Sequence, residues 1–464
     1  MEKLNVMEDG VLIAPAPYAS PAAYYSPTAG RMESIEVRKG STQIKHGPFT
    51  TGGSLNYIST PIPSSKLNSV SLDIGSFGKT LMQVRSGDVL GNFAYLIELY
   101  SDKTDGFKEL DGGGDTGYGK TDFMTKLRYS FSESHALEFK YSMTDELSDE
   151  TYLGLTDADF SENPLRRYRA TALDEMDADH SQIMLSYAAK LNDNMSLAVV
   201  GYSNDFARNW YKLNKVNGMS LSSITKPTAD GWNEFYLLMN AENSADDAYR
   251  IKANNREYYS SGIQAVFNVL AGDHDIQAGL RIHSDEMDRF QWEDRYGMQS
   301  GQLVMTTQAT KGSDSNRIDS AEATALFVED RFTTGAMTIT AGARYEEITV
   351  KRDDWGKTDP DRSEIPSKRE HTIDVVVPGI GIEYAINESQ TVSVGIHKGF
   401  APPGPGTSGV TDKAVDPETS MNTEIGFKSN KGLNSLEFTL FMNSYDNLLG
   451  ADTAASGGGS DDLF

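Results

Sequence analysis

The sequence predicts an all-β chain folded as a transmembrane antiparallel β-barrel. Three observations carry this reading. Apolar residues alternate with polar ones over many stretches of the chain. The connections between those stretches are tight and long by turns. The 464 residues are only 38% hydrophobic, with no run near the roughly 20 apolar residues that a membrane helix needs.

The alternation begins at about residue 66. Val70, Leu72 and Ile74 alternate with Ser71 and Asp73. Phe123, Leu127, Tyr129 and Phe131 share one parity, and Asp122, Lys126, Arg128 and Ser130 the other. Leu137, Phe139, Tyr141 and Met143 alternate with Glu138, Lys140 and Ser142. Late in the chain Val392, Val394 and Ile396 do the same, as do Leu436, Phe438 and Leu440. Period two puts one parity on each face of a sheet. A soluble sandwich would alternate in the same way, so this signal alone leaves both architectures open.

The connections separate them. About fifteen strands follow residue 65, and the reading finds no helical period. Tight connections fall near 88–91, 132–135, 190–193, 271–273, 334–336, 386–388 and 430–432. Most others are long, near 102–118, 146–178, 213–248, 294–316, 353–370 and 399–418. Short turns on one side and long loops on the other are the pattern of outer-membrane barrels. A compact sandwich rarely carries so many connections of this length.

Composition narrows the function classes. Net charge is −25, so a basic nucleic-acid footprint is absent. There is no cysteine for disulfides or thiol chemistry, and the 22 Tyr and 19 Phe suit aromatic girdles. No nucleophile elbow, zinc helix or phosphate loop is present, so neither a catalytic residue nor a cofactor is expected. Asp177, Asp179 and His180 resemble a metal cluster only in spacing, and His180 is expected to be structural. Asp111 and Asp115 flank three glycines, which is far short of a calcium loop.

Residues 1–65 have a different grammar, rich in Ala, Pro, Ser, Gly and Tyr. Within them stand Ile35-Glu36-Val37-Arg38-Lys39-Gly40-Ser41, His46-Gly47-Pro48 and Gly52-Gly53-Ser54-Leu55-Asn56-Tyr57-Ile58. This combination resembles the end of the plug domain of TonB-dependent outer-membrane receptors. Ala341-Gly342-Ala343-Arg344-Tyr345-Glu346 and Glu424-Ile425-Gly426-Phe427-Lys428 resemble barrel strands of the same family. The resemblance implies the rear half of a plug in residues 1–65 and a partial barrel in 66–464. It also implies a complete barrel of 22 strands with a globular plug in the lumen. Glu36, Arg38, Lys39, Gly40, Gly47, Gly52, Gly53, Asn56 and Glu424 would join plug and barrel. Lys39 stands where the family usually has Arg, which loses the bidentate fork toward Glu424.

Within the family, Met7-Glu8-Asp9-Gly10, Glu150-Thr151-Tyr152-Leu153-Gly154-Leu155, Arg166-Arg167-Tyr168 and His397-Lys398-Gly399-Phe400 look most like the ferric dicitrate receptors. That implies import of a ferric chelate, with iron present only in the cargo and TonB and its inner-membrane motor as partners. Another siderophore, a vitamin complex or a carbohydrate is the alternative. The implied setting is a monomer in outer-membrane lipid.

A negative chelate calls for converging Arg donors. The candidates are Arg166, Arg167 and Arg169 in one long loop, with Arg250, Arg256 and Arg289 near loop ends. Tyr18, Tyr24 and Tyr25 lie in a segment, 13–25, expected to face the vestibule. No basic residue occurs between Lys3 and Arg31, so positive charge must come from the barrel. Trp210, Trp232, Trp292 and Trp355 are expected near the extracellular side. No signal peptide, TonB box or plug front is recognised, nor are the closing strands. The reading expects a fragment truncated at both ends, with two open sheet edges.

Overall fold

A computed structural model describes residues 3–22, 24–40, 44–225, 229–405 and 416–447 of the chain. Its main feature is one antiparallel sheet that curls into an incomplete ring, with Leu67–Ile74 and Asn434–Asp446 as its edge strands. Seventeen strands enter the ring. Two of them, Met219–Ser220 and Gln302–Thr307, are short and belong to loops, which leaves fifteen long ones.

The tight turns sit where alternation breaks. Phe93–Thr104 follows Thr80–Leu90 after two residues, and His274–Gln299 follows Tyr249–Ala271 after two. The opposite rim carries the long connections, including 149–174 and 217–248. The strands are longer than a bilayer requires. Met195–Val216 has 22 residues, Tyr249–Ala271 has 23 and His274–Gln299 has 26, against roughly 9–11 for a tilted spanning strand. The strands therefore run well beyond the length that a spanning segment needs.

Parity decides which face each side chain takes. In Glu175–Asn192, His180, Gln182 and Met184 are buried inside the ring, while Ile183 and Leu185 lie exposed outside. Asp122 and Lys126 point in, and Leu127, Tyr129 and Phe131 point out. Leu280, Leu326, Val328, Val376 and Ile380 extend the exposed apolar band. An apolar outside around a polar inside is the inverse of a soluble sandwich and the arrangement of a lipid-facing barrel.

The N-terminal segment fills the ring as an inner unit. Its four-stranded sheet runs Val11–Leu12, Asn5–Glu8, Ser54–Ser59, Met32–Arg38 in spatial order. Asn5–Glu8 pairs parallel with Ser54–Ser59, and the other pairs are antiparallel. Tyr18, Tyr25, Val6 and Leu12 pack with Phe206, Tyr258, Ile348 and Val375 of the wall in one apolar cluster.

One expectation is corrected. Short helices occur at Asp157–Glu162, Leu221–Ile224 and Trp232–Met239. They span four to eight residues, too few for a 3.6-residue period to register. The first is nonetheless capped, since the Thr156 side chain accepts from the Asp159 amide. The expected open edges are present among the described residues: Leu67–Ile74 has a ladder only with Thr80–Leu90, and Asn434–Asp446 only with Glu418–Lys431. Every residue of both edge strands is exposed.

Candidate functional site

The inner unit is fastened to the wall by buried charge. Arg31 is fully buried, with Nη1 2.5 Å from Glu8 and Nε 2.7 Å from Asp122 on strand Tyr118–Ser132. Burial alone would lower the Arg31 pKa, but Glu8, Tyr25 and Asp122 outweigh it and hold it well above its ordinary value. Lys140 donates to Glu8 at 2.6 Å and to Asp9 at 2.7 Å. Across the ring, Arg344 donates to the Lys45 carbonyl at 3.0 Å and Arg281 to the Gly47 carbonyl at 2.6 Å.

The sequence-predicted joining residues fall on or near this contact. A side chain at Gly40 would run into the Glu424 carboxylate, and one at Gly47 into Glu346 and Arg344. Gly52 backs onto the Lys3 carbonyl, and Gly53 has φ 115°. Asn56 donates to Glu36 at 3.2 Å and accepts from the Gly10 amide at 2.9 Å. Arg38 reaches Glu36 at 3.3 Å within its own strand, and Lys39 is exposed.

The three tyrosines divide. Tyr18 is locked to the wall: its amide and that of Ala19 donate to Asp285 at 2.7 and 2.9 Å. Its hydroxyl donates to Glu346 at 2.8 Å and accepts from Arg281 at 2.6 Å. Tyr25 is locked as well, stacked on His180 with 3.7 Å between ring centroids. Tyr24 meets two guanidinium groups of the wall with its ring, Arg208 3.7 Å and Arg256 5.6 Å from the ring centre.

Those two arginines begin a row. Arg208 is the cross-strand partner of Arg256, Arg256 of Arg289, and Arg289 of Arg317. Four neighbouring strands thus place four arginines at one height. With roughly 4.8 Å between strands the row spans about 14 Å. Like charges placed directly opposite each other are destabilising, so the row needs anions. Asp319 neutralises one end, 3.3 Å from Arg317, but is forked by Arg352 at 2.5 and 2.9 Å. Arg289 meets only the neutral Gln291 at 3.0 Å in hydrogen bonding. Nε and Nη2 of Arg208 and Nε of Arg256 are buried without a hydrogen bond. Lys212, four residues beyond Arg208, is held by the Tyr152 and Trp210 rings at 3.1 and 4.1 Å. Cations thus gather on this part of the wall although the chain as a whole is strongly acidic.

Arg166, Arg167 and Arg169 do not join this row. Arg166 bonds to Asp111 at 2.8 Å, Asp159 at 2.8 Å and Asn240 at 2.5 Å. Arg167 is buried and spends its donors on the carbonyls of Asp149, Thr171 and Asp174 and on the Thr171 hydroxyl. Arg169 ties Gly113, Gly301 and Gln302 together. Long loops leave many carbonyls unpaired, and arginines close them. Arg250 stands higher on the wall, 4.0 Å from Glu293. Arg256 and Arg289 are in the row. Sequence reasoning missed Arg208, Arg317 and Lys212.

The acidic candidates resolve simply. His180 faces inward, whereas Asp177 and Asp179 face out, as period two requires. Asp111 is engaged by Arg166. Among the described residues no group of His, Asp or Glu is placed to hold a metal ion.

Known structures share this architecture. The ferric citrate transporter FecA in unliganded form is 19% identical, with a TM-score of 0.73 over 96% of this chain and 61% of that one. The siderophore receptor PiuA from Acinetobacter baumannii is 14% identical, with a TM-score of 0.76 over 95% of this chain and 64% of that one. The ferric yersiniabactin uptake receptor FyuA from Yersinia pestis is 13% identical, with a TM-score of 0.69 over 96% of this chain and 64% of that one. The chain therefore spans less than two thirds of each of these structures. Residues 100–462 match the family model described as TonB dependent receptor-like, beta-barrel. On that match, which covers well over half of its length, the chain belongs to the TonB-dependent receptor β-barrel family.

Proposed function

We propose that the chain is the ligand-capturing part of an outer-membrane receptor that imports an anionic ferric chelate of the ferric dicitrate kind. Residues 1–65 serve as plug and 66–464 as barrel. TonB and its inner-membrane motor supply the energy, and iron enters only as cargo. The receptor works as a monomer in outer-membrane lipid.

The observation that carries this reading is the row Arg208, Arg256, Arg289 and Arg317 above the inner unit. Guanidinium groups in a row, some with unused donors, suit carboxylates that arrive with their own negative charge. The family and the likeness to FecA agree with it. A carbohydrate would favour aromatic platforms free of cations, yet Tyr24, Tyr152 and Trp210 all lie against cations. A passive channel fits poorly with a lumen crossed by buried ion pairs.

The test is a fluorescence titration of the complete receptor with ferric dicitrate, with iron-free citrate as control. Trp210 lies beside the row and reports on it. Saturable quenching that requires iron supports the reading. A receptor that ignores ferric dicitrate but binds another siderophore keeps the class and loses the citrate assignment.

A further inference from the structure

We infer that a groove on the outer face of the wall seats one membrane lipid of glycolipid chemistry. Its acyl chain lies along Ile263, Ile282 and Leu280, and its neutral, hydroxyl-rich headgroup meets Ser284, Glu322 and Glu347. The inference rests on the reading of the chain as an outer-membrane barrel and adds a partner for its outer face.

The groove measures about 710 Å³ and crosses strands Tyr249–Ala271, His274–Gln299, Ser315–Thr334 and Met337–Asp354. Its lining follows from register. Ser261 pairs with Ser284, Ser284 with Glu322 and Glu322 with Thr349, so one outward row is hydroxyl and carboxylate. Two residues nearer the tight turns, Ile263, Ile282, Thr324 and Glu347 form a mixed row. The next, Ala265, Leu280 and Leu326, is apolar. Short side chains at Ser261, Ala265, Thr324 and Thr349 leave the space. Ile263 and Ile282 stand exposed beside it.

The groove straddles the edge of the lipid-facing band. Ser284 lies about eleven residues up the strand from the turn at 272–273, roughly 28 Å along the barrel axis once tilt is allowed for, and such bands are about 25 Å tall. The apolar end is thus continuous with the band, and the polar end opens at headgroup level. A groove covers more of an acyl chain than a flat wall does, so it holds one chain in preference to its neighbours.

Charge selects the headgroup. Glu286 stands two residues beyond Ser284, and Asp374 is the cross-strand partner of Glu347. Lys351 offsets Glu322 at 3.6 Å. The carboxylates around the polar end outnumber this ammonium and disfavour a bare phosphate. An ionised carboxylate accepts hydrogen bonds and donates none, so it favours a headgroup rich in hydroxyl donors. Ser284 and Thr324 add hydroxyls of their own.

The experiment places the complete receptor in phosphatidylcholine vesicles that contain monoglucosyl diacylglycerol or phosphatidylglycerol, each brominated on its acyl chains. These 464 residues hold no cysteine. In a cysteine-free background, Leu326→Cys beside the groove and Ile183→Cys elsewhere on the exposed apolar band each carry one fluorophore, which bromine quenches on contact. At position 326 the glucosyl lipid is expected to quench about twofold more than phosphatidylglycerol, and at 183 the two are expected to match. Glu322→Gln with Glu347→Gln is expected to bring the two lipids level at 326. Ala265→Phe, which fills the apolar end, is expected to cut the glucosyl quenching at 326 to the level at 183. Equal quenching by the two lipids at 326, or stronger quenching by phosphatidylglycerol, overturns the inference. So does a preference that survives Ala265→Phe undiminished. Should that variant not insert, the Gln pair decides, since it adds no bulk: an unchanged preference overturns the inference. If neither lipid quenches at either position, the wall does not meet lipid, and the membrane reading fails with the inference. Quenching at 183 without preference at 326 removes this inference alone.

Discussion

Arg31 and Asp122 form a fully buried ion pair, 2.7 Å apart, that joins the inner unit to the barrel wall. Glu8 stands on the other side of the same guanidinium at 2.5 Å, so one cation serves two carboxylates. Burial would raise the Glu8 carboxyl, but Arg31 and Lys140 outweigh it and hold it far below the usual carboxylate range.

Removing this cation leaves Asp122 buried without it and Glu8 with Lys140 alone. Loss of one partner of a buried pair costs about 3–5 kcal/mol. Arg31→Met in the complete receptor is therefore expected to loosen the plug and raise resting conductance in planar bilayers. Conductance as low as wild type would show that other contacts seat the plug.

Gly40 has φ 69° and sits against the Glu424 carboxylate. A side chain there faces both a left-handed backbone, worth about 1–2 kcal/mol, and a collision. Gly40→Ala is expected to lower the melting temperature of the receptor. Substitution of Gly113, also at positive φ but with open space around it, is expected to show the backbone cost alone. Equal melting for the two variants would remove the role assigned to the Glu424 contact.

The arginine row and the loop arginines separate by experiment. Arg256→Ala and Arg289→Ala are each expected to weaken ferric dicitrate binding by about 10- to 100-fold, the value of a charge-assisted hydrogen bond. Arg167→Ala, which removes carbonyl contacts within one loop, is expected to change binding less than about threefold while unpinning residues 149–174. The opposite ranking would return the site to the loop.

Asp174 gives that loop a pH dependence. Its carboxyl is buried, and burial lifts its pKa from 3.8 to about 7, against the pull of the Leu213 amide, Thr151 and Arg167. A raised carboxyl binds its proton more tightly in the folded state. Its stabilisation is present below 3.8 and is lost as pH rises through about 7. Hydrogen exchange in 149–174, corrected for intrinsic rates, is expected to show more protection at pH 5 than at pH 8. Asp174→Asn is expected to flatten the difference. Protection that rises with pH would contradict the burial argument.

The barrel was legible in the sequence because alternation and turn spacing are local. Asp122 and Lys126 against Leu127 and Tyr129 announce an inside and an outside without any partner strand. The glycine-marked contacts at Gly40 and Gly47 were legible through resemblance. The arginine row was not, because it exists only in register across four strands. A signal was nonetheless present. Arg256 and Arg289 lie equally far from the turn at 272–273, since Ala271 pairs with His274 and Arg256 with Arg289. Counting from tight turns places inward arginines at one height, whereas charge density along the chain pointed to the loop. Arg166, Arg167 and Arg169 are dense in sequence because loop carbonyls need donors. Nor did the sequence separate Tyr18 and Tyr25 from Tyr24. Their surroundings come from Asp285 and His180, more than a hundred residues away.

The length of the strands has a consequence for the chemistry of capture. The row stands about fifteen residues up the strand from the turn at 272–273, close to 50 Å along the chain and roughly 38 Å along the barrel axis once tilt is allowed for. The apolar band of such barrels is only about 25 Å tall. Four arginines at that height belong to the aqueous exterior, walled by protein and clear of hydrocarbon. On the proposed function, their affinity for an anion is expected to follow salt and the protein's own dielectric, and affinity measured in detergent micelles is expected to carry over to the membrane.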